Sequence, residues 1–133
     1  MIYALDTNII SHILQKQDEV VNKLKTELDG GNQVVIPPIV YYEVRRGLLA
    51  SNAIRKAEAF ESLFVGLNID AIDRETLEMA ATEYARLRKA GLTIGDADLF
   101  IAEFCIKNGF TLVTDNTKHF GAIKGLRYTN WIE

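Results

Sequence analysis

The run Ile2-Tyr3-Ala4-Leu5, stopped at once by Asp6-Thr7-Asn8, constrains the fold of this chain more than any other feature. An unbroken apolar run of that length reads as a parallel strand buried on both faces. A strand ending in an acid delivers a carboxylate to the C-terminal edge of its sheet, the edge where open α/β folds bind ligands. Further acids stand where other elements should reach that edge: Glu43, Asp96, Asp98 and Asp115. Carboxylates converging on one edge suggest a site for a hard divalent cation such as Mg²⁺ or Mn²⁺.

The remaining chain alternates helical and extended patterns. Ile9, Ile10, Ile13 and Leu14 have helical spacing, and Val20, Val21, Leu24 and Leu28 form the apolar stripe of a second helix that Gly30-Gly31 ends. Val34-Val35-Ile36 is a short strand stopped by Pro37-Pro38, and Pro38 suits the first turn of a helix running to about Ala50. Ser51 or Asn52 is expected to cap another helix through Phe60 and Phe64. Leu67 to Ile72 alternates as a third strand would. Asp73 should cap a helix with Leu77, Ala80, Ala81, Tyr84 and Leu87 inside, closed by Gly91. The next helix runs from about Asp96 to Asn108 with Gly109 as a left-handed cap. Thr111 to Thr114 is a fourth strand, a helical turn lies near Lys118 to Phe120, and an edge strand spans about Leu126 to Trp131. Strands alternating with helices predict an α/β fold, a mostly parallel sheet flanked by helices on both faces. No linker divides the 133 residues, which are expected to form one domain, 1–133.

An apolar fraction of 48% supplies a core. No run approaches the roughly 20 apolar residues of a membrane helix, and no signal peptide is visible, so a cytoplasmic protein without a membrane partner is expected. The single cysteine, Cys105, excludes an internal disulfide and a cysteine metal site. A net charge of −3 is not the usual basic footprint of a nucleic-acid binder. Setting four acids aside in one pocket turns it into +1, however, and bases cluster at Arg45-Arg46, Arg55-Lys56, Arg86-Arg88-Lys89 and Lys118-His119. An acidic site rimmed by bases suits a phosphodiester, although each cluster read alone is a solvated helix face.

Each acid has an ordinary alternative. Asp6 could only cap the helix after it. Glu43 lies mid-helix, where a lone glutamate usually faces solvent. Asp96 and Asp98 point about 200° apart on a helix and cannot both face one ion. Asp98 leads the apolar face of Ile101, Ala102 and Cys105, an unusual place for an acid without a partner. It is therefore the preferred ligand, with Asp96 a cap or an outer base. Asp115-Asn116 could be a turn. His12 reads as a packed histidine, and His119 as a loop residue within reach of a phosphate.

Four segments in order, the strand-Asp-Thr-Asn opening, Pro37 to Gly47 (PPIVYYEVRRG), Ile94 to Glu103 (IGDADLFIAE) and Leu112 to Phe120 (LVTDNTKHF), resemble a PIN domain, most of all the VapC-type toxins of bacterial toxin–antitoxin pairs. The resemblance spans nearly the whole chain. It implies a mostly parallel five-stranded sheet and a Mg²⁺- or Mn²⁺-dependent endoribonuclease acting on RNA, transfer RNA among the candidate substrates. The family's acids fall on Asp6, Glu43 and Asp98. Its fourth acid position is occupied by Asn116, with Asp115 one residue early. Thr7, Asn8 and Thr114 accompany the acids. A homodimer and a cognate VapB-like antitoxin, often inserting an arginine into the site, are implied as well. The reading that competes is a non-catalytic PIN-like RNA-binding or interaction module. A dehalogenase-like phosphatase would need an acid where Asn8 stands, and a receiver domain would need a phospho-acceptor and a late lysine that this chain does not place.

Overall fold

Ile2–Leu5 forms the strand expected at the head of the chain, β1, and it lies in the middle of the sheet. The structure, a computed structural model, describes residues 1–64 and 71–132. After β1 come α1 (Thr7–Leu14), α2 (Asp18–Asp29), β2 (Gln33–Val35), α3 (Pro38–Ala50), α4 (Ile54–Phe64), α5 (Arg74–Lys89), α6 (Asp96–Asn108), β3 (Thr111–Val113), α7 (Thr117–Phe120) and β4 (Tyr128–Thr129). The strand order is β2-β1-β3-β4 and every pairing is parallel. The chain thus leaves β1 to one side for β2 and returns on its other side as β3. That reversal opens a crevice beyond the carboxyl ends of β1 and β3.

Four strands are present among the described residues, against the five expected. The segment expected to supply the other, 67–72, falls largely on residues 65–70, outside those described, and Ala71 and Ile72 lie in no strand. The last edge strand is shorter than its pattern suggested. Leu126 and Trp131, at its expected ends, are instead buried anchors, and Trp131 packs edge-on against Tyr3 with ring centroids 5.5 Å apart.

Burial follows from the parallel topology. Ala4, Leu5, Leu112, Val113 and Thr114 are fully enclosed, so the central strands are covered on both faces. Ile9, Ile10, Val40, Phe60, Ile101, Ala102 and Phe120 complete the core. A fully buried aromatic such as Phe60 contributes on the order of 2–3 kcal/mol by leaving water. Helix α3 packs against α1, α4 and α6, and Glu43 of α3 and Asp98 of α6 lie near enough to the end of β1 for their charges to reach Asp6.

Three local expectations change. Asp73 does cap α5, accepting from the Thr76 amide and hydroxyl, yet the buried stripe of α5 is Thr76, Ala80, Glu83 and Leu87. Leu77, Ala81 and Tyr84 face outward. The helix turns a buried glutamate inward because Arg86 pairs with it. Ser51 closes α3, donating its hydroxyl to the Gly47 carbonyl, and Asn52 is left-handed at φ 53°, so α4 begins only at Ile54. Gly95, not Asp96, occupies the cap position of α6, and Asp96 is an exposed first-turn residue. Gly109 takes the expected left-handed conformation at φ 71°.

Candidate active site

Asp6 is the centre of a network at the end of β1. Its amide donates to the Val113 carbonyl of β3 at 2.9 Å, which fixes its backbone against the neighbouring strand. Oδ1 accepts from the Thr7 amide at 2.8 Å, so Asp6 caps α1 as well. Oδ2 accepts from the Thr114 hydroxyl at 2.8 Å and, more loosely, from the Asn8 side-chain amide at 3.3 Å. Asn8 also joins the two strand ends, since its Oδ1 accepts from the Asp115 amide at 3.2 Å. The Thr114 hydroxyl in turn accepts from the Asn116 amide at 3.0 Å. Thr7, Asn8 and Thr114 are therefore the scaffold of the acid that starts the site.

The other carboxylates are held individually. Thr7 donates its hydroxyl to Glu43 Oε1 at 2.9 Å, and Arg46 lies 3.8 Å from Glu43 Oε2. Asp98, in the first turn of α6, has Oδ2 2.7 Å from Nε2 of His119 on α7. Asp115 is exposed, and its Oδ2 meets Nε2 of His12 at 3.1 Å. Neither histidine contact was legible, because each joins elements about 20 or 100 residues apart in the sequence and neither residue has ligand spacing. Asn116 precedes α7 without a side-chain capping bond.

Burial holds the Asp6 carboxyl above its usual range. The bonds from Thr114 and Thr7 pull it down, and the charges of Asp98 and Glu43 push it up further. Those two carboxylates are thus the acids whose charge Asp6 feels. Burial, and secondarily the charge of Asp6, raises the Cys105 thiol, so the one cysteine is an inert core residue behind the site. Among the described residues no three His, Cys, Asp or Glu side chains are gathered closely enough to hold an ion as they stand. As they stand, Glu43 accepts from Thr7, and Asp98 and Asp115 lie against His119 and His12. The donor set still fits a hard cation. It offers carboxylate oxygens only, around a buried acid whose neighbours leave it short of positive charge.

The surroundings are partly basic. A cleft of about 240 Å³ runs beside Thr7, Glu43, Gly47 and Lys56. Arg46 stacks on Tyr42 at 5.1 Å and stays exposed. The expected base cluster on α5 is less available, since Arg86 forks onto Glu83 at 2.6 and 2.8 Å. A larger hollow of about 510 Å³ between α3 and α4 lies apart from the acids.

The family model described as "PIN domain" matches residues 3–126. Ribonuclease VapC2 of Rickettsia felis is 34% identical to this chain over 137 residues, covering 98% of each. Ribonuclease VapC1 of Haemophilus influenzae strain R2866 is 30% identical over 133 residues, again covering 98% of each. Among solved structures, a chain of VapBC2 from Rickettsia felis, bound to a DNA fragment from its promoter, superposes with a TM-score of 0.89 at 29% identity, over 98% of this chain and 99% of that one.

Proposed function

From the premise that this chain belongs to the PIN domain family, we propose that it is a divalent-metal-dependent endoribonuclease and the toxin of a toxin–antitoxin pair. The observation that carries the reading is Asp6. It is a buried acid fixed by three donors at the switch point of a parallel sheet, with Asp98 and Glu43 as its charged neighbours. A purely structural cap would not need two more carboxylates pressing on it. Full-length likeness to proteins named ribonucleases supports the same chemistry.

In this reading Asp6 and Asp98 would hold Mg²⁺ or Mn²⁺, with Glu43 and Asp115 as further ligands, direct or through water. When bound, the cation supplies positive charge to a phosphodiester in reaction and acidifies a nearby water. The protein's own part is orientation. Thr114 and Thr7 keep the Asp6 carboxylate from turning, and Thr7 presents Glu43. Glu43, or Asp96 at the exposed start of α6, orients the water for in-line attack and takes its proton. Arg46 and Lys56 stand where a polyanionic chain would pass. Attack by water leaves a 5′-phosphate and a 3′-hydroxyl. Transfer RNA is the substrate class implied by the family resemblance.

Two partners follow. A VapB-like antitoxin would cover the site, and an acidic pocket with buried Asp6 is a strong counterpart for an inserted guanidinium. The VapBC2 neighbour supports such pairing. A homodimer is expected.

The test is to incubate antitoxin-free protein with total RNA in Mg²⁺, in Mn²⁺ and in EDTA, beside Asp98→Asn. Discrete cuts bearing 5′-phosphates, absent in EDTA and in the variant, are expected. Cyclic phosphate ends, or cleavage that persists in EDTA, would refute the mechanism. Retention of RNA with no cutting would favour the binding-module alternative.

A further inference from the structure

Each carboxylate nearest the site centre has something that holds it. Asp6 has the Thr7 amide and the Thr114 hydroxyl, and Glu43 has the Thr7 hydroxyl. For Asp98 the neighbour is His119, whose Nε2 lies 2.7 Å from Oδ2. The oxygen is close but off the line of a hydrogen bond, and Nε2 is buried with no aligned partner. A buried ring nitrogen is costly to leave in that state, and Asp98 is the acceptor beside it. A small rotation of either side chain aligns the pair. Among the described residues no other donor engages Asp98, so Oδ1 is uncommitted.

We propose that His119 is a positioning residue for the reaction: its imidazole fixes the Asp98 carboxylate through Oδ2 and presents Oδ1 to the divalent cation. The inference rests on the metal-dependent reading above. Asp98 is partly exposed in the first turn of its helix and, without His119, is free to choose among staggered rotamers. A cation would then have to order it on binding. The short helix α7 thereby has a task in the site, since it carries the imidazole from beyond β3 to the start of α6. Partners of ligating carboxylates typically change metal affinity or activity 10–100-fold when removed.

Calorimetric titration with Mn²⁺ tests this on the intact chain. His119→Phe keeps a ring beside Phe120, 5.9 Å away, and deletes the donor. It is expected to weaken Mn²⁺ binding roughly 10–100-fold. His119→Gln keeps an N–H donor and is expected to recover most of that loss, which a role in packing alone would not allow. The double variant with Asp98→Asn should bind no more weakly than Asp98→Asn by itself. Wild-type affinity in folded His119→Phe, no recovery in His119→Gln, or additive losses in the double variant would each overturn the inference while leaving the metal reading in place. No Mn²⁺ binding by the wild-type protein would overturn both.

Discussion

Replacing Glu103 by glutamine should make the protein more stable at pH 8 and change little at pH 5. Glu103 sits on α6, 4% exposed, with no hydrogen-bond partner among the described residues. Burial, reinforced by the charge of Glu83, raises its carboxyl from the ordinary 4.5 to about 7. In the unfolded chain the proton leaves near the ordinary value, while the folded protein keeps it to about 7. The stability this acid confers is therefore complete below about 4.5 and declines as pH rises to about 7, where it levels off. Moving the ionisation from 4.5 to about 7, at about 1.4 kcal/mol for each pH unit, amounts to roughly 3–4 kcal/mol. The glutamine variant, which cannot ionise, escapes the decline. Its advantage at pH 8 should approach that figure, less the cost of burying an amide. Urea denaturation of both proteins at pH 5 and pH 8 measures the difference, and every other titrating group cancels in the comparison. Stability curves that stay parallel across pH would refute the reasoning.

Other perturbations separate scaffold from chemistry. Thr114→Val removes a donor to Asp6 and the acceptor of the Asn116 amide inside a closed site, and should cost roughly 1–3 kcal/mol in urea denaturation. Arg86→Ala leaves Glu83, 8% exposed, without its fork and frees the Ala122 carbonyl. A loss of about 1–3 kcal/mol is expected, with faster amide exchange over 121–124. Asp96→Ala, exposed and outside the cap position, should retain measurable RNA cleavage under conditions where Asp98→Asn has none; equal loss in both would make Asp96 the base.

Much of the architecture was written in the pattern of the chain because it depends on neighbours in sequence. The apolar run before Asp6, the stop at Pro37-Pro38, the Asp73–Thr76 cap and Gly109 all appear where chain-local chemistry puts them. Asp96 and Asp98, two residues apart on α6, do differ in exposure. Asp98 is beside the buried face of Ile101, Ala102 and Cys105 and contributes its charge to Asp6, whereas Asp96 is exposed. What escaped was set by contacts between distant segments. The phase of α5 followed Glu83, whose inward turn requires Arg86 and the Lys124 amide. The start of α6 after Gly95 and that of α4 at Ile54 depend on how the preceding turns close. The pairings of His12 with Asp115 and His119 with Asp98 exist only once β3 and α7 come to rest beside α1 and α6.

The central claim is that Asp6, Glu43 and Asp98 serve one cation. A crystal structure of the antitoxin-free protein soaked in Mn²⁺, read by its anomalous signal, tests that most directly. The account predicts a peak beyond the end of β1, with Asp6 and Asp98 oxygens at roughly 2.0–2.2 Å and Glu43 in direct contact or one water away. A peak elsewhere, or none at saturating Mn²⁺, would contradict it.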